Sequence, residues 1–266
     1  MDIKDNHEPF LIDTHAHLDM LRQMPPAVAV AQSLQEGVKY IINVGSSIDG
    51  SRQSLKYALE FENVFAAAGI HPHHAGEQQD ISYIEILEEI IASSKKVIAI
   101  GETGFDYFRN LSPQDEQKKV FIEHIRLALK HNLPLIIHDR DAHEDMYEVL
   151  KECHTEKNFR AVIHCFSGGA DFAARCLELG CFISFTGVIT FPNAKDLINV
   201  VREVPLERMF LETDAPFLAP QQVRGKENYP GYVKYIGEKI AEIKNTSFDN
   251  VASVTSKSAM DFFNLK

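Results

Sequence analysis

Several features that define common classes of protein are missing from this sequence of 266 residues. It has no apolar run of membrane length and no secretory leader, so we expect no association with a membrane. Its four cysteines show no C-x-x-C spacing, the pattern typical of thiolate metal sites and redox pairs. We therefore expect reduced thiols in a cytoplasmic protein.

Positive charge is scarce as well. Lysine and arginine number 27 against 38 aspartates and glutamates, which gives a formal net charge of −11. No broad basic surface is available to coat a nucleic-acid duplex. Any nucleic-acid substrate would therefore have to be bound locally, by metal ions and a few cationic side chains.

Neither an internal repeat nor a linker rich in Pro, Gly or Ser divides the chain. Residues 1–9 are polar and predict a short tail. Residues 10–266 predict a single domain, because a β/α barrel reaches this length as one unit. No heptad pattern requires a dimer, so we expect a monomer.

Short apolar runs alternate with helical patterns along the chain. The runs are continuous rather than alternating, as is typical of parallel strands covered on both faces. The predicted strands are 10–15, 40–44, 64–69, 97–101, 133–138, 161–164, 182–185 and 209–213. Eight such strands with helices between them predict an α/β fold, a closed (β/α)8 TIM barrel.

Three of the helices carry clear start or stop signals. Pro25 and Pro26 suit the first turn of a helix that runs to Gln35. A longer amphipathic helix begins after Ser112 and ends close to Asn132. The last predicted helix covers residues 248–263, with residue 246 or 247 as its N-terminal cap.

Histidines and carboxylates follow almost every predicted strand. In barrels of this kind the active site lies at the C-terminal ends of the strands. His15 and His17 project from the same side of the first strand, because side chains alternate between its faces. Other strand ends add Glu102, His138, His164 and Asp214. Each residue alone can be a core or turn residue, but a buried cluster of them is costly without a compensating charge.

Six potential ligands exceed the three or four protein ligands of a single catalytic zinc. We therefore predict two divalent ions, with Glu102 as the bridging carboxylate, since no lysine stands at that strand end. Paired ions about 3.5–4 Å apart activate a water molecule and stabilise both the attacking and the leaving oxygen. This chemistry suits the hydrolysis of phosphate esters. Four imidazoles favour zinc, manganese, cobalt or nickel over magnesium.

Six motifs follow one another between Leu11 and Pro216. They read LIDTHAHLD from residue 11, GIHPH from 69, IGETGFDY from 100, PLIIHDR from 134, IHCFSG from 163 and LETDAP from 211. In this order they resemble the successive motifs of the TatD family of metal-dependent deoxyribonucleases. The resemblance covers nearly the whole chain and implies a TIM barrel of the metal-dependent hydrolase superfamily. It further implies cleavage of DNA, often as a 3′ to 5′ exonuclease on single strands, commonly with magnesium.

The resemblance also implies individual roles. The first metal ion would be bound by His15, His17, Glu102 and Asp214. The second would be bound by Glu102, His138 and His164. By the same analogy His71, in the GIHPH motif, lies close to the scissile phosphate and assists catalysis; the alternative is a solvent-facing loop histidine.

Four cations are candidates for binding phosphate. Arg140 follows the fifth strand and Arg109 follows the fourth. Either guanidinium can bind a phosphate group through two parallel hydrogen bonds. Arg224 and Lys226 lie after the eighth strand, in a stretch that resembles a loop common in the family. Loops at that position in barrels frequently bind phosphate. For each of the four, the alternative is a solvated surface charge.

In the predicted mechanism, a water held by the two ions loses its proton to Asp214 and attacks phosphorus in line. Glu212 faces the same way as Asp214. It either orients the site from behind a ligand or fills the inner layer of the barrel, and the sequence leaves both open. Tyr107, Phe108 and Phe191 offer faces on which bases stack, or simply pack.

Two other functions stay open. One is hydrolysis of a C–N or C–O bond in an amide, a lactone or an aminoacyl ester on transfer RNA, which the same fold supports. Many of those relatives use a carboxylated lysine as the bridge, whereas Glu102 takes that place here. The other is a nucleic-acid-binding scaffold with structural metal sites, which the complete ligand set disfavours.

Overall fold

The computed structural model describes residues 9–78, 82–156 and 159–265. The predicted tail, residues 1–9, lies outside these ranges apart from Pro9. Within them, eight parallel strands lie side by side in sequence order and helices connect them. This arrangement confirms the predicted (β/α)8 TIM barrel. In the same part of the chain, no helix combines the length and apolar character needed to cross a membrane.

The eight strands correspond to the eight predicted apolar runs, with ends that differ by at most five residues. They are β1 (Leu11–Ala16), β2 (Val38–Val44), β3 (Val64–Ala68), β4 (Val97–Asp106), β5 (Leu135–Arg140), β6 (Ala161–Ile163), β7 (Phe182–Phe185) and β8 (Met209–Leu211). Almost all strand residues are buried, as their continuous apolar character predicts.

Nine α-helices lie within the described ranges. They are α1 (Pro26–Gln35), α2 (Ile48–Glu60), α3 (Ser82–Ser93), α4 (Gln114–His131), α5 (His143–Glu156), α6 (Ala170–Glu178), α7 (Lys195–Glu203), α8 (Val233–Lys244) and α9 (Phe248–Phe263). Of the two candidate caps for α9, Ser247 is the one observed, since its hydroxyl accepts a hydrogen bond from the Asn250 N–H at 3.1 Å. Such a cap satisfies one of the free N–H groups at the helix start.

Strand β4 extends further than predicted. We expected it to end at Gly101, but it continues through Glu102 to its last residue at position 106. Gly104 makes this possible because a Cβ there would lie 2.0 Å from the carbonyl oxygen of His138. Its φ of +140° is likewise rarely adopted by residues with a side chain. The extension places Glu102 inside the strand rather than in a loop.

The barrel is closed between β8 and β1 by contacts just beyond β8. Ala16 pairs with Ala215 as an isolated bridge. The Asp214 N–H donates to the His15 carbonyl at 2.9 Å, and the His17 N–H donates to the Ala215 carbonyl at 2.7 Å. The backbone itself therefore places the two histidines of β1 beside the carboxylate that follows β8.

The opposite end of the barrel is covered by α9. Its Ser256 hydroxyl donates to the carbonyl of Phe10, just before β1, at 2.7 Å, and Arg160, just before β6, donates to the carbonyl of Phe262. Phe262 packs on Phe210 of β8 with ring centroids 5.1 Å apart. The helix thus seals the N-terminal ends of the strands and leaves their C-terminal ends open.

Candidate metal centre

An open cavity of about 420 Å³ lies at the C-terminal ends of the strands. The predicted site residues that line it are His17, His71, Glu102, Arg109, His138, Arg140, His164 and Asp214. His15 is fully buried beneath them. Residues that are far apart in sequence meet here because each lies at or just beyond a strand end.

Four of these residues form what we call the first donor group: His15, His17, Glu102 and Asp214. The Nε2 atoms of the two histidines are 3.2 Å apart. The Glu102 Oε2 atom lies 3.5 Å from His15 Nε2 and 3.8 Å from His17 Nε2. Asp214 Oδ1 lies 3.9 and 3.5 Å from the same two nitrogens. Nitrogen and carboxylate oxygen atoms thus converge on one point.

The other oxygen of Glu102 faces the second donor group, which comprises Glu102, His138 and His164. Its Oε1 atom lies 2.7 Å from His138 Nδ1 and 3.0 Å from His164 Nε2. His71 Nε2 is 3.6 Å from the same oxygen. Glu102 therefore stands between two sets of imidazoles and presents one oxygen to each.

Hydrogen bonds behind the imidazoles fix which nitrogen points into the centre. His17 Nδ1 donates to the Val44 carbonyl at 2.8 Å, so its Nε2 is left for the first donor group. His164 Nδ1 lies 3.1 Å from Glu212 Oε1, which also accepts from the Cys165 N–H at 2.6 Å. Of the two roles left open for Glu212, the structure therefore supports orientation of His164.

His138 is oriented in a similar way by Asp106, which was not among the predicted site residues. Asp106, at the end of β4, places Oδ2 3.2 Å from His138 Nε2 and 2.8 Å from His73 Nε2. Its Oδ1 accepts from the Arg109 N–H at 2.7 Å. His138 must then turn Nδ1 towards Glu102. The signal was present in the sequence, because Asp106 belongs to the IGETGFDY motif.

Carboxylates and imidazoles lie side by side in the centre and change one another's pKa values. Burial opposes ionisation of Glu102, but the charge of the His164 imidazole and hydrogen bonds with His138 and His15 hold the pKa of that carboxyl well below its usual value. Burial also opposes protonation of His17, but Asp214 and Glu102 outweigh it and raise the pKa of His17 to about 9. The pKa of Asp214 is lowered as well, despite its burial, by its hydrogen bond with His17 and the charge of His164. Both carboxylates therefore favour nearby cations, either protons on imidazole or metal ions.

His71 differs from the other histidines of the centre. Burial holds the pKa of its imidazole well below the usual value, so the ring is neutral at pH 7. Its Nδ1 accepts a hydrogen bond from the His73 N–H at 3.0 Å. In a neutral ring the hydrogen then resides on Nε2, which faces Glu102. His71 is accordingly a hydrogen-bond donor to the cavity.

The four predicted phosphate-binding cations fall into two sets. Arg109 and Arg140 line the cavity. Arg224 lies over the ring of Phe191, 5.7 Å from its centroid, and Lys226 is exposed. Among the described residues, neither of these two belongs to the lining of the cavity.

Known proteins resemble the chain closely. A family model described as TatD related DNase matches residues 12–264. The chain belongs to the TatD family. YabD of Bacillus subtilis, an uncharacterized metal-dependent hydrolase, is 40% identical to it over 258 residues, which cover 96% of this chain and 99% of that protein. These findings confirm the resemblance drawn from the six motifs and make the chain a metal-dependent hydrolase.

Two further TatD relatives bear on structure and activity. The 3′-5′ ssDNA/RNA exonuclease TatD of Escherichia fergusonii is 32% identical over 241 residues, covering 89% of this chain and 92% of that protein. The crystal structure of YjjV, a TatD homologue from Escherichia coli K12, superposes with a TM-score of 0.88 at 29% identity. That match covers 96% of this chain and 98% of YjjV.

Proposed function

We propose that this TatD-family hydrolase removes nucleotides from the 3′ end of single-stranded DNA with two divalent metal ions. The observation that carries the proposal is the position of Glu102, which presents one oxygen to each donor group. One carboxylate between two sets of imidazoles suits a pair of ions that share a ligand. The similarity to the 3′-5′ ssDNA/RNA exonuclease TatD of Escherichia fergusonii supports the substrate and the polarity.

The donor atoms fit metal ions of the size of zinc. The five separations recorded within the first donor group run from 3.2 to 3.9 Å. A tetrahedron with metal–ligand bonds of about 2.1 Å has edges of about 3.4 Å, within that range. Four imidazoles among the donors favour zinc, manganese or nickel over magnesium.

Ions bound at such a centre lower the pKa of a water molecule and neutralise charge on a phosphoryl group. The chain supplies the remaining functions. Asp214 borders the cavity and accepts the proton of the attacking water. As the new P–O bond forms, the P–O3′ bond breaks, and the 3′ oxygen of the shortened strand leaves and takes a proton from solvent. His71 donates its Nε2 hydrogen to a phosphate oxygen. Arg140 and Arg109, which line the cavity, bind phosphate groups.

The decisive test is cleavage of single-stranded DNA labelled at the 3′ or at the 5′ end, by metal-reconstituted protein. We expect stepwise shortening from the 3′ end. Glu102→Ala should abolish turnover because it removes a donor from both groups. Asp214→Asn should abolish it because a neutral amide cannot accept the proton of the attacking water. Glu89→Ala, which changes an exposed carboxylate of α3, is the matched control and should retain full activity.

The outcomes separate the alternatives. Full activity of Glu102→Ala would exclude the shared-carboxylate centre. If the wild type binds ions but leaves DNA intact, the nuclease proposal is wrong. Amides, lactones and aminoacyl esters are then the substrates to assay.

A further inference from the structure

Two exposed phenylalanine rings stand at the mouth of the cavity. The sequence contains 17 phenylalanines, and among the described residues only Phe108 and Phe217 are exposed, at 62% and 50%. Both line the cavity that contains the donor groups. An exposed large aromatic ring forgoes the free energy of burial, and two at the rim of one site mark a surface for an apolar or planar ligand.

The two rings lie on opposite sides of the centre. Phe108 follows β4, and Phe217 follows β8. In a barrel whose eight strands are ordered β1 to β8, these two strands are four places apart and so face each other across the axis. A chain that runs from one ring to the other therefore passes over the metal centre.

Phe217 is held rigidly in its exposed position. Its N–H donates to the Asp214 carbonyl at 2.8 Å, and its carbonyl accepts from the fully buried amide of Asn228 at 2.5 Å. The next residue, Leu218, has a φ of +52°, a conformation that residues with a side chain seldom adopt. A fixed backbone presents the ring at little further cost in conformational entropy when a ligand binds.

The surroundings of the two rings differ in charge. The guanidinium of Arg140 lies over the Phe108 ring, 5.4 Å from its centroid, and Arg109 is the adjacent residue. Arg140 also lines a second cavity of about 220 Å³, between residues 165–168 and the start of α7. Among the described residues that line the cavity with the donor groups, these two arginines are the only Lys or Arg side chains. Among the described residues that follow β8, no Lys or Arg side chain lines this cavity.

We propose that Phe217 stacks on the base of the 3′-terminal nucleotide and that Phe108 stacks on the base next to it, in the retained strand. The assignment rests on the proposed function. The retained strand carries many phosphates, which the arginines beside Phe108 can bind. The released part is a single nucleotide, so its site beside Phe217 does not require such cations. Bases in a duplex are paired and stacked on one another, so the pair of rings also selects single strands.

The proposal is tested by combining variants of each phenylalanine with substrates that lack the base on which that ring would stack. The substrates are a single-stranded dT 12-mer and two versions that lack either the terminal or the penultimate base. Base–aromatic stacking is typically strong enough that its loss lowers binding by about 5- to 150-fold. We expect losses of this size in kcat/KM for Phe217→Ala and Phe108→Ala on the intact 12-mer, and little loss in Phe217→Tyr and Phe108→Tyr.

The effect of each alanine should vanish on one substrate only. Phe217→Ala should match the wild type on the substrate without the terminal base, and Phe108→Ala on the substrate without the penultimate base. Leu111→Ala is the control, since Leu111 is 66% exposed in the same loop as Phe108 but does not line the cavity. Its activity should be unchanged on all three substrates.

A binding signal gives a second readout. With 2-aminopurine as the terminal base, the Glu102→Ala protein should quench fluorescence, and adding Phe217→Ala should restore it. If wild type cuts the 12-mer but both alanine variants cut it equally well, or lose activity equally on all substrates, the stacking proposal is wrong and the nuclease function stands. If wild type does not cut the 12-mer, the proposed function fails and the stacking proposal with it.

Discussion

Asp106 shows how one side chain determines the chemistry of another. Because its carboxylate takes the Nε2 side of His138, Nδ1 is the nitrogen that faces Glu102. Interactions of this kind behind a metal ligand fix its ring orientation, and their loss typically costs 10–100-fold in metal affinity or activity. The residue therefore belongs to the centre although neither of its carboxylate oxygens is a member of a donor group.

For Asp106→Asn we predict a loss of metal affinity of about 10- to 100-fold with the fold retained. The neutral amide no longer stabilises the orientation of His138 by charge. Metal affinity is measured by titration with a chelating indicator, and folding by circular dichroism. Asp171→Asn, an exposed carboxylate on α6, should behave as wild type. Unchanged affinity in Asp106→Asn would contradict the role assigned here.

His124 predicts a pH dependence of stability. It is fully buried on α4, where Nδ1 donates to the Val120 carbonyl and Nε2 accepts from the Ile70 N–H, so the ring is neutral. Burial lowers its pKa from 6.5 to about 4. At pH values between about 4 and 6.5, His124 is therefore protonated in the unfolded chain but neutral in the folded chain. Stability is therefore lost as the pH falls through this window.

Between pH 7.5 and pH 5 we expect His124 to reduce the free energy of unfolding by about 2 kcal/mol. Urea unfolding of the wild type and of His124→Gln at the two pH values measures it. The variant is expected to be less stable at pH 7.5 but to lose about 2 kcal/mol less on acidification. Parallel pH profiles for the two proteins would show that His124 does not titrate as described.

At the scale of elements, β4 carries the largest difference between expectation and structure. The two glycines at 101 and 104 look like strand ends in the sequence, yet they let β4 approach β5 closely enough to continue. The eight apolar runs were sufficient to predict all the strands because burial on both faces leaves a clear pattern. Which nitrogen of His138 faces Glu102 depends on contacts between strands, so no local pattern encodes it.

Gly104→Ala should be far more costly than an alanine at another glycine with positive φ. A Cβ at Gly104 would clash with the His138 carbonyl, whereas at Gly180, with φ of +83°, it would meet nothing within 4 Å. We expect Gly180→Ala to cost about 1–2 kcal/mol from its backbone conformation alone. Gly104→Ala should cost more and should also lose metal binding, as measured by urea unfolding and elemental analysis. Equal losses in both variants would contradict the close approach.

At the scale of the whole molecule, stability and chemistry lie at opposite ends of the barrel. Phe262 of α9 is buried at the closed end, away from the donor groups. Phe262→Ala should cost about 3–5 kcal/mol by leaving a cavity. We expect Tm to fall by roughly 5–9 °C, while metal content at 25 °C stays that of wild type. A variant that lost its metal without losing stability would contradict this separation.

The closure between β8 and β1 sets an order in which the centre is assembled during synthesis. The second donor group is complete in the nascent chain once His164 has been added, whereas the first requires Asp214, which comes 199 residues after His15. A ribosome-bound chain that ends before residue 214 lacks both the carboxylate and the backbone bonds that hold His15 and His17 in place. Full metal loading, and with it hydrolytic activity, must therefore wait until most of the polypeptide has been made.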